Sequence, residues 1–151
     1  MKKIILILLL SGCANTLPYM SPSHVAYAEQ YIGYNETDAD HSLTESLGIN
    51  PVETQWCGAF VSYVLSSVGK PTSDKPLWSR SYLDWGSEVD NPRVGDVVVF
   101  QTEGSTWRGH VGFYIHETAD MILVLGGNQD DEVGYKLYAK SNLLGIRRLP
   151  S

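Results

Sequence analysis

The spacing of apolar residues changes near residue 92, and that change restricts the folds open to the chain. Before it, apolar side chains recur three and four residues apart. From Cys57 they fall at Phe60, Val61, Val64, Leu65 and Val68, one face of a helix that Gly69-Lys70-Pro71 ends. After it come five short runs rich in β-branched and aromatic residues, at 97–100, 111–115, 121–125, 133–138 and 144–149, separated by Gly, Asp and Asn turns. Helices followed by strands predict an α+β domain: N-terminal helices packed on a small antiparallel β-sheet, with the Cys57 helix on one face. Shorter helices are expected from Ser23 to about 31, stopped by Gly33, and from about 40 to 47, closed by Gly48 and Pro51. A third amphipathic piece at 78–86 sets Trp78, Tyr82 and Trp85 at helical spacing. At 151 residues there is room for one domain with an ordinary core.

The N-terminus reads differently. Met1-Lys2-Lys3 is basic, and residues 4–10 are seven consecutive Ile or Leu residues. A bilayer span takes about 20 residues, but the apolar core of a secretory signal can be this short. Leu10-Ser11-Gly12-Cys13 resembles a bacterial lipoprotein box, whose cysteine is lipidated and heads the mature chain. The expected division is therefore a signal peptide at 1–12, a tether at 13–23 containing Pro18 and Pro22, and a domain at 24–151. Ala14 stands where an aspartate would resemble an inner-membrane retention signal, so the expected location is the outer membrane, facing the periplasm. The membrane is engaged through acyl chains on Cys13.

The sequence has two cysteines. If Cys13 carries lipid, Cys57 has no disulfide partner, and an exported chain that keeps a lone thiol risks its oxidation. A cysteine on the first turn of a helix also meets the positive end of the helix dipole, which favours thiolate. Cys57 is thus a candidate nucleophile, although an isolated cysteine on an apolar face also fits an inert core position. The formal charge is −6, or −8 once Lys2 and Lys3 are lost, and the basic residues Lys136, Lys140, Arg147 and Arg148 are scattered among strands. No nucleic-acid partner is expected from that distribution. The acidic stretch at 36–40 does not make a calcium loop, since, counted from Asp38, no glycine stands at the sixth position and Ile49 occupies the twelfth. No metal site is expected.

A thiol nucleophile needs a base. His24 and His41 fall at helix starts, whereas His110 stands in Gly109-His110-Val111-Gly112-Phe113. Strand alternation puts His110, Gly112 and Tyr114 on one face, and the glycines leave room there for a helix end to approach. His116 shares that face but lies roughly 20 Å along the strand, so His110 is the expected base. The base needs an orienting acceptor on its other nitrogen. A hairpin centred on Ala119 pairs residue 128 with residue 110, which places Asn128 beside His110; a slip of one residue substitutes Gln129.

The stretches 56–61 (Trp-Cys-Gly-Ala-Phe-Val), 92–100 (Pro-Arg-Val-Gly-Asp-Val-Val-Val-Phe), 109–114 (Gly-His-Val-Gly-Phe-Tyr) and 123–129 (Leu-Val-Leu-Gly-Gly-Asn-Gln) together resemble the CHAP and NlpC-type cysteine peptidases and amidases that cut peptidoglycan, especially small phage-endolysin-like members. The resemblance covers about residues 24–150. It implies a papain-like fold without cofactor, with Cys57 as nucleophile, His110 as base and Asn128 as third member. It also implies a thioester intermediate and cleavage of either the N-acetylmuramoyl-L-alanine amide or a D,L peptide bond of the wall stem. The Cys57 N–H is expected to donate to the oxyanion, with Gln55 or Trp56 near the second donor. Trp78, Tyr82, Trp107 and Gln129 are expected around the substrate groove, and the chain is expected to act as a monomer. The competing expectation is a catalytically silent, lipid-anchored module that binds or assembles the wall.

Overall fold

The computed structural model describes residues 21–37 and 42–149. The signal peptide, the lipidation position Cys13 with most of the tether, and His41 lie outside the described residues. Helix α1 is Ser23–Glu29, α2 is Ser42–Leu47 and α3 is Cys57–Ser67, followed by a 3₁₀ helix at Ser79–Asp84. The strands are β1 (Ser87–Glu88), β2 (Val97–Gln101), β3 (Gly109–Glu117), β4 (Met121–Gln129), β5 (Glu132–Ala139) and β6 (Leu143–Arg148). They form one antiparallel sheet in the order β1-β6-β2-β3-β4-β5. The expected α+β architecture of helices on a small antiparallel sheet is the one observed.

Period-two alternation gives the sheet two apolar faces. Val97, Val99, Val111, Phe113 and Leu125 share a core with Phe60, Val61, Val64 and Leu65 of α3, all of them 1 % exposed or less. Burying each such side chain is worth about 1.5–3 kcal/mol, so this seam fixes where α3 lies. Val98, Phe100, Tyr114, Ile122, Val124 and Ile146 form a second core on the opposite face, with Tyr138 packed against it. On the helical side α1 adds Val25 and Ala28, and the hydroxyls of Tyr27, Tyr31 and Tyr63 bond to one another at 2.7–3.2 Å.

Several local expectations change. Helix α1 starts at Ser23 as expected but ends at Glu29, before the expected 31, with Pro22 in the cap position and no side-chain cap bond. The 78–86 piece is a 3₁₀ helix, which sends Tyr82 and Trp85 into the helical-side core and leaves Trp78 outside. β1 has no counterpart in the sequence pattern: two exposed polar residues carry no alternation, and the pairing of Ser87 and Glu88 with Arg148 and Arg147 comes from the partner strand.

Candidate active site

Cys57 opens α3 as a free thiol, 4 % exposed. Its neighbours fix that position. Trp56 is 1 % exposed, its indole Nε1–H donates to Glu36 Oε2 at 3.0 Å, and its ring meets Phe60 edge-on. Gly127 accommodates that ring, since a Cβ there would stand 2.5 Å from the indole. Gly58 in turn lets the loop at 76–77 lie on the helix start, because a Cβ would come within 2.5 Å of the Pro76 carbonyl. Burial pushes the Cys57 thiol up, while the backbone N–H groups of Val111, Gly58 and Cys57 itself point at the sulfur and favour the thiolate.

The contact with Val111 locates the site. Tyr114 exchanges backbone bonds with Gly95 and Asp96 on the β2 side, so the alternating ladder turns the Val111 N–H toward β4. There the β3–β4 pairing ends at Phe113 with Leu125. The thiol fills the opening, against the peptide unit that joins His110 to Val111. The helix therefore lies on the Val111 and Phe113 face, not on the His110 and Gly112 face as expected. Gly112 serves contact within the sheet instead: its Cβ would stand 2.4 Å from Val124. Thiol and imidazole approach the gap from opposite faces, with Gly127 facing α3 and Gly126 facing His110 Nε2. No hydrogen bond joins the thiol to the ring among the described residues.

His110 pairs with Phe100, and Tyr138 stacks on both rings, at 4.7 Å and 12° from His110 and 4.8 Å and 22° from Phe100. Its Nε2–H donates to Gln129 Oε1 at 3.0 Å. Gln129 is 3 % exposed, and its Nε2 donates to the carbonyls of Val124 (3.3 Å) and Gly134. These two donations leave only the amide oxygen for His110, which fixes the Nε2–H tautomer and keeps a lone pair on Nδ1. Burial lowers the His110 pKa to about 4; the Gln129 bond opposes that shift and the charge of Lys136 adds to it. The ring is neutral near pH 7.

Asn128, expected beside His110, does not reach it. Between Gly126 and Gln129 the β4–β5 register shifts by one residue, and Asn128 takes the left-handed conformation at φ +55°. The extra residue is a β-bulge, which reverses the alternation and brings Gln129 to the histidine. The Asn128 amide instead donates to Gln55 Oε1 at 3.1 Å, on the exposed rim. Trp78 and Trp107 are 67 % and 72 % exposed, whereas Tyr82 and Trp56 are core residues whose side chains cannot line a groove. The sequence does not single out Tyr138: it lies on the 133–138 strand, but only the register against Ile122 identifies its face. Among the described residues no group of three or more His, Cys, Asp or Glu side chains is arranged to hold a metal ion.

The family model for the CHAP domain matches residues 49–128. The chain belongs to the CHAP family. Its fold is accordingly the α+β, papain-like type, and the family is one of peptidoglycan hydrolases, amidases and peptidases. The match takes in Cys57 and His110 and stops one residue short of Gln129. No curated protein matches the sequence.

Proposed function

We propose that this CHAP domain cleaves an amide or peptide bond of the peptidoglycan stem by thiol catalysis, with Cys57 as nucleophile, His110 as base and Gln129, in place of Asn128, as the residue that orients the base. The observation carrying this reading is the fixed Gln129 amide, which leaves the His110 Nδ1 lone pair as a proton acceptor. A neutral imidazole and a protonated thiol call for general-base catalysis rather than a preformed ion pair. As the sulfur attacks the carbonyl carbon, Nδ1 takes the thiol proton. The oxyanion is held by backbone N–H at the start of α3, and on its collapse the imidazolium protonates the leaving amine. A thioester remains. Water, deprotonated by His110, attacks it, releasing the carboxylic acid and restoring the thiol.

Turbidity and fragment release from purified peptidoglycan test the reading. The full chain is expected to release fragments and its Cys57→Ala variant none, and fragment masses separate a muramoyl-alanine amidase from a D,L-endopeptidase. The buried, uncharged thiol favours one alternative, a catalytically silent module that binds the wall; wall binding without release by either protein would establish it. Lipidation of Cys13 and an outer-membrane location facing the periplasm belong to the same proposal. Anchoring would hold the domain near the wall by raising its local concentration there. Labelled palmitate is expected to enter the wild-type chain and not Cys13→Ser.

A further inference from the structure

Leu77, Trp78 and Trp107 are 44 %, 67 % and 72 % exposed. Grouped exposed apolar side chains commonly mark a binding surface. Arg80 groups these: its Nε and Nη2 donate to the Arg108 carbonyl at 3.1 and 3.0 Å, and Nη2 also to the Ser105 carbonyl at 3.4 Å. The 3₁₀ helix after Trp78 is thereby tied to the loop that carries Trp107. Beside Trp78 lies a cavity of about 500 Å³ lined by Ser73, Asp74, Lys75, Trp78, Arg80 and Asp84, with Trp85 as an apolar wall. The Trp85 indole N–H is spent on the Pro71 carbonyl at 3.2 Å, so it offers the cavity ring surface only. The loop leading into this cavity is the one lying on Gly58, directly beside Cys57.

We propose that this cavity is a glycan subsite that takes the N-acetylated disaccharide of a wall strand while the attached peptide reaches Cys57. The inference rests on the wall-hydrolase reading above. Its volume is in the range of small-ligand sites, about 300–1,000 Å³, but about half of its lining is polar where such sites are mostly apolar. Both signs of charge are present. An anion would face Asp74 and Asp84, and a cation would face Lys75 and Arg80. An uncharged polyhydroxylated ligand uses both sets, its hydroxyls and amide N–H donating to the carboxylates and its oxygens accepting from the bases. The pyranose ring also has an apolar C–H face suited to an exposed indole. Lys75 Nζ now stands over that indole, 5.4 Å from its centroid, where a sugar would displace it. The exposed tryptophan is thereby explained by a ligand that covers it.

The test uses the full-length Cys57→Ala chain, which removes turnover from the measurement. N-acetylglucosaminyl-N-acetylmuramic acid with its lactyl carboxyl capped as the methylamide, so that it is uncharged as in the wall, and the stem peptide without sugar, are titrated while the four tryptophan indole N–H resonances are followed by NMR. The disaccharide is expected to shift Trp78 and Trp85 saturably and leave Trp56 in place, and the peptide alone to move neither of the first two. Trp78→Ala and Asp84→Asn, both at exposed positions, are each expected to weaken disaccharide binding at least tenfold. Absence of a saturable shift at millimolar disaccharide, or binding that both variants leave intact, overturns the proposal. Wall cleavage by wild type without disaccharide binding removes the subsite alone. Disaccharide binding without cleavage removes the hydrolase reading and leaves the subsite.

Discussion

Gln129 and Asn128 are adjacent amides with separable duties. Gln129 is buried and satisfies two backbone carbonyls besides His110, whereas Asn128 bonds Gln55 on the rim. Gln129→Ala frees the imidazole to rotate or change tautomer and is expected to lower kcat at least 10²-fold, by analogy with the loss of a triad's orienting residue. It also leaves buried acceptors unpaired, costing about 1–3 kcal/mol. Asn128→Ala is expected to change kcat only a few-fold, and wall-lysis rates of the two variants check the contrast. The His110 pKa near 4 has two consequences. The base stays unprotonated down to that pH, so the acid limb of kcat/KM is expected near pH 4 rather than at the ordinary histidine value. Stability runs otherwise: below pH 6.5 the unfolded chain binds a proton that the folded ring refuses. Folding free energy is therefore lost as pH falls from about 6.5 to about 4, on the order of 3 kcal/mol from this residue. His24, lowered in the same direction chiefly by burial, adds to the loss. Urea titrations across that window measure it, and flat stability between pH 6.5 and 4 would contradict the half-buried neutral ring.

Among the elements, the end of the β3–β4 pairing at Phe113 makes the site possible, and Gly126 and Gly127 border it on opposite faces. A Cβ at Gly127 would meet the Trp56 ring at 2.5 Å and the Phe60 Cβ at 2.8 Å, both in the packed core. Gly127→Ala is expected to destabilise by about 1–3 kcal/mol through overpacking, visible as a lowered Tm, and to push Cys57 out of the gap. At Gly126 the nearest atoms are the Gln129 side chain at 3.1 Å and His110 Nε2 at 3.4 Å. Gly126→Ala should therefore lose more activity than stability, and thermal melts beside lysis rates separate the two effects. This region also marks the limit of what the sequence discloses. The α3 face and the five longer strands were legible because each repeats its period several times, and Cys57 and His110 stood out by their glycine neighbours. The face of approach was not legible: Gly109 and Gly112 suggested an open strand face, but they accommodate the 3₁₀ helix and Val124. The bulge at 127–128 was hidden as well, because Gly-Gly-Asn reads equally as a turn and nothing local states that the β3–β4 ladder stops at Phe113. Extrapolating the hairpin register from Ala119 selected Asn128, and one inserted residue transfers the role to Gln129.

At the scale of the whole molecule, the sheet is closed at its β6 side by the end of the described chain. Arg148 Nε and Nη2 donate to Asp96 Oδ1 and Oδ2 at 2.8 and 2.7 Å, and a third donation from Nη2 reaches the Asn91 carbonyl at 3.0 Å. Asp96 also accepts from the Arg93 N–H at 2.7 Å, which shapes the turn entering β2. The β2 core strand and the β1–β6 edge are thus held by one carboxylate, whose side chain is 5 % exposed against 31 % for the guanidinium. An exposed ion pair is worth about 0–1 kcal/mol, but here removing the guanidinium strands a buried carboxylate, a loss that exceeds the value of the pair itself. Arg148→Ala is accordingly expected to destabilise the domain by clearly more than an exposed pair would, with hydrogen exchange rising first in β6 and β1. Arg148→Lys keeps the charge and loses the two-pronged geometry, so it should recover only part of the difference. The site lies at the opposite end of β3 from the Asp96 turn, built from α3, β3, β4 and β5. Exchange in β4 and β5 and the lysis rate at temperatures below the variant's melt should therefore stay near wild type, and a proportional loss of both would mean that the sheet unfolds as one unit.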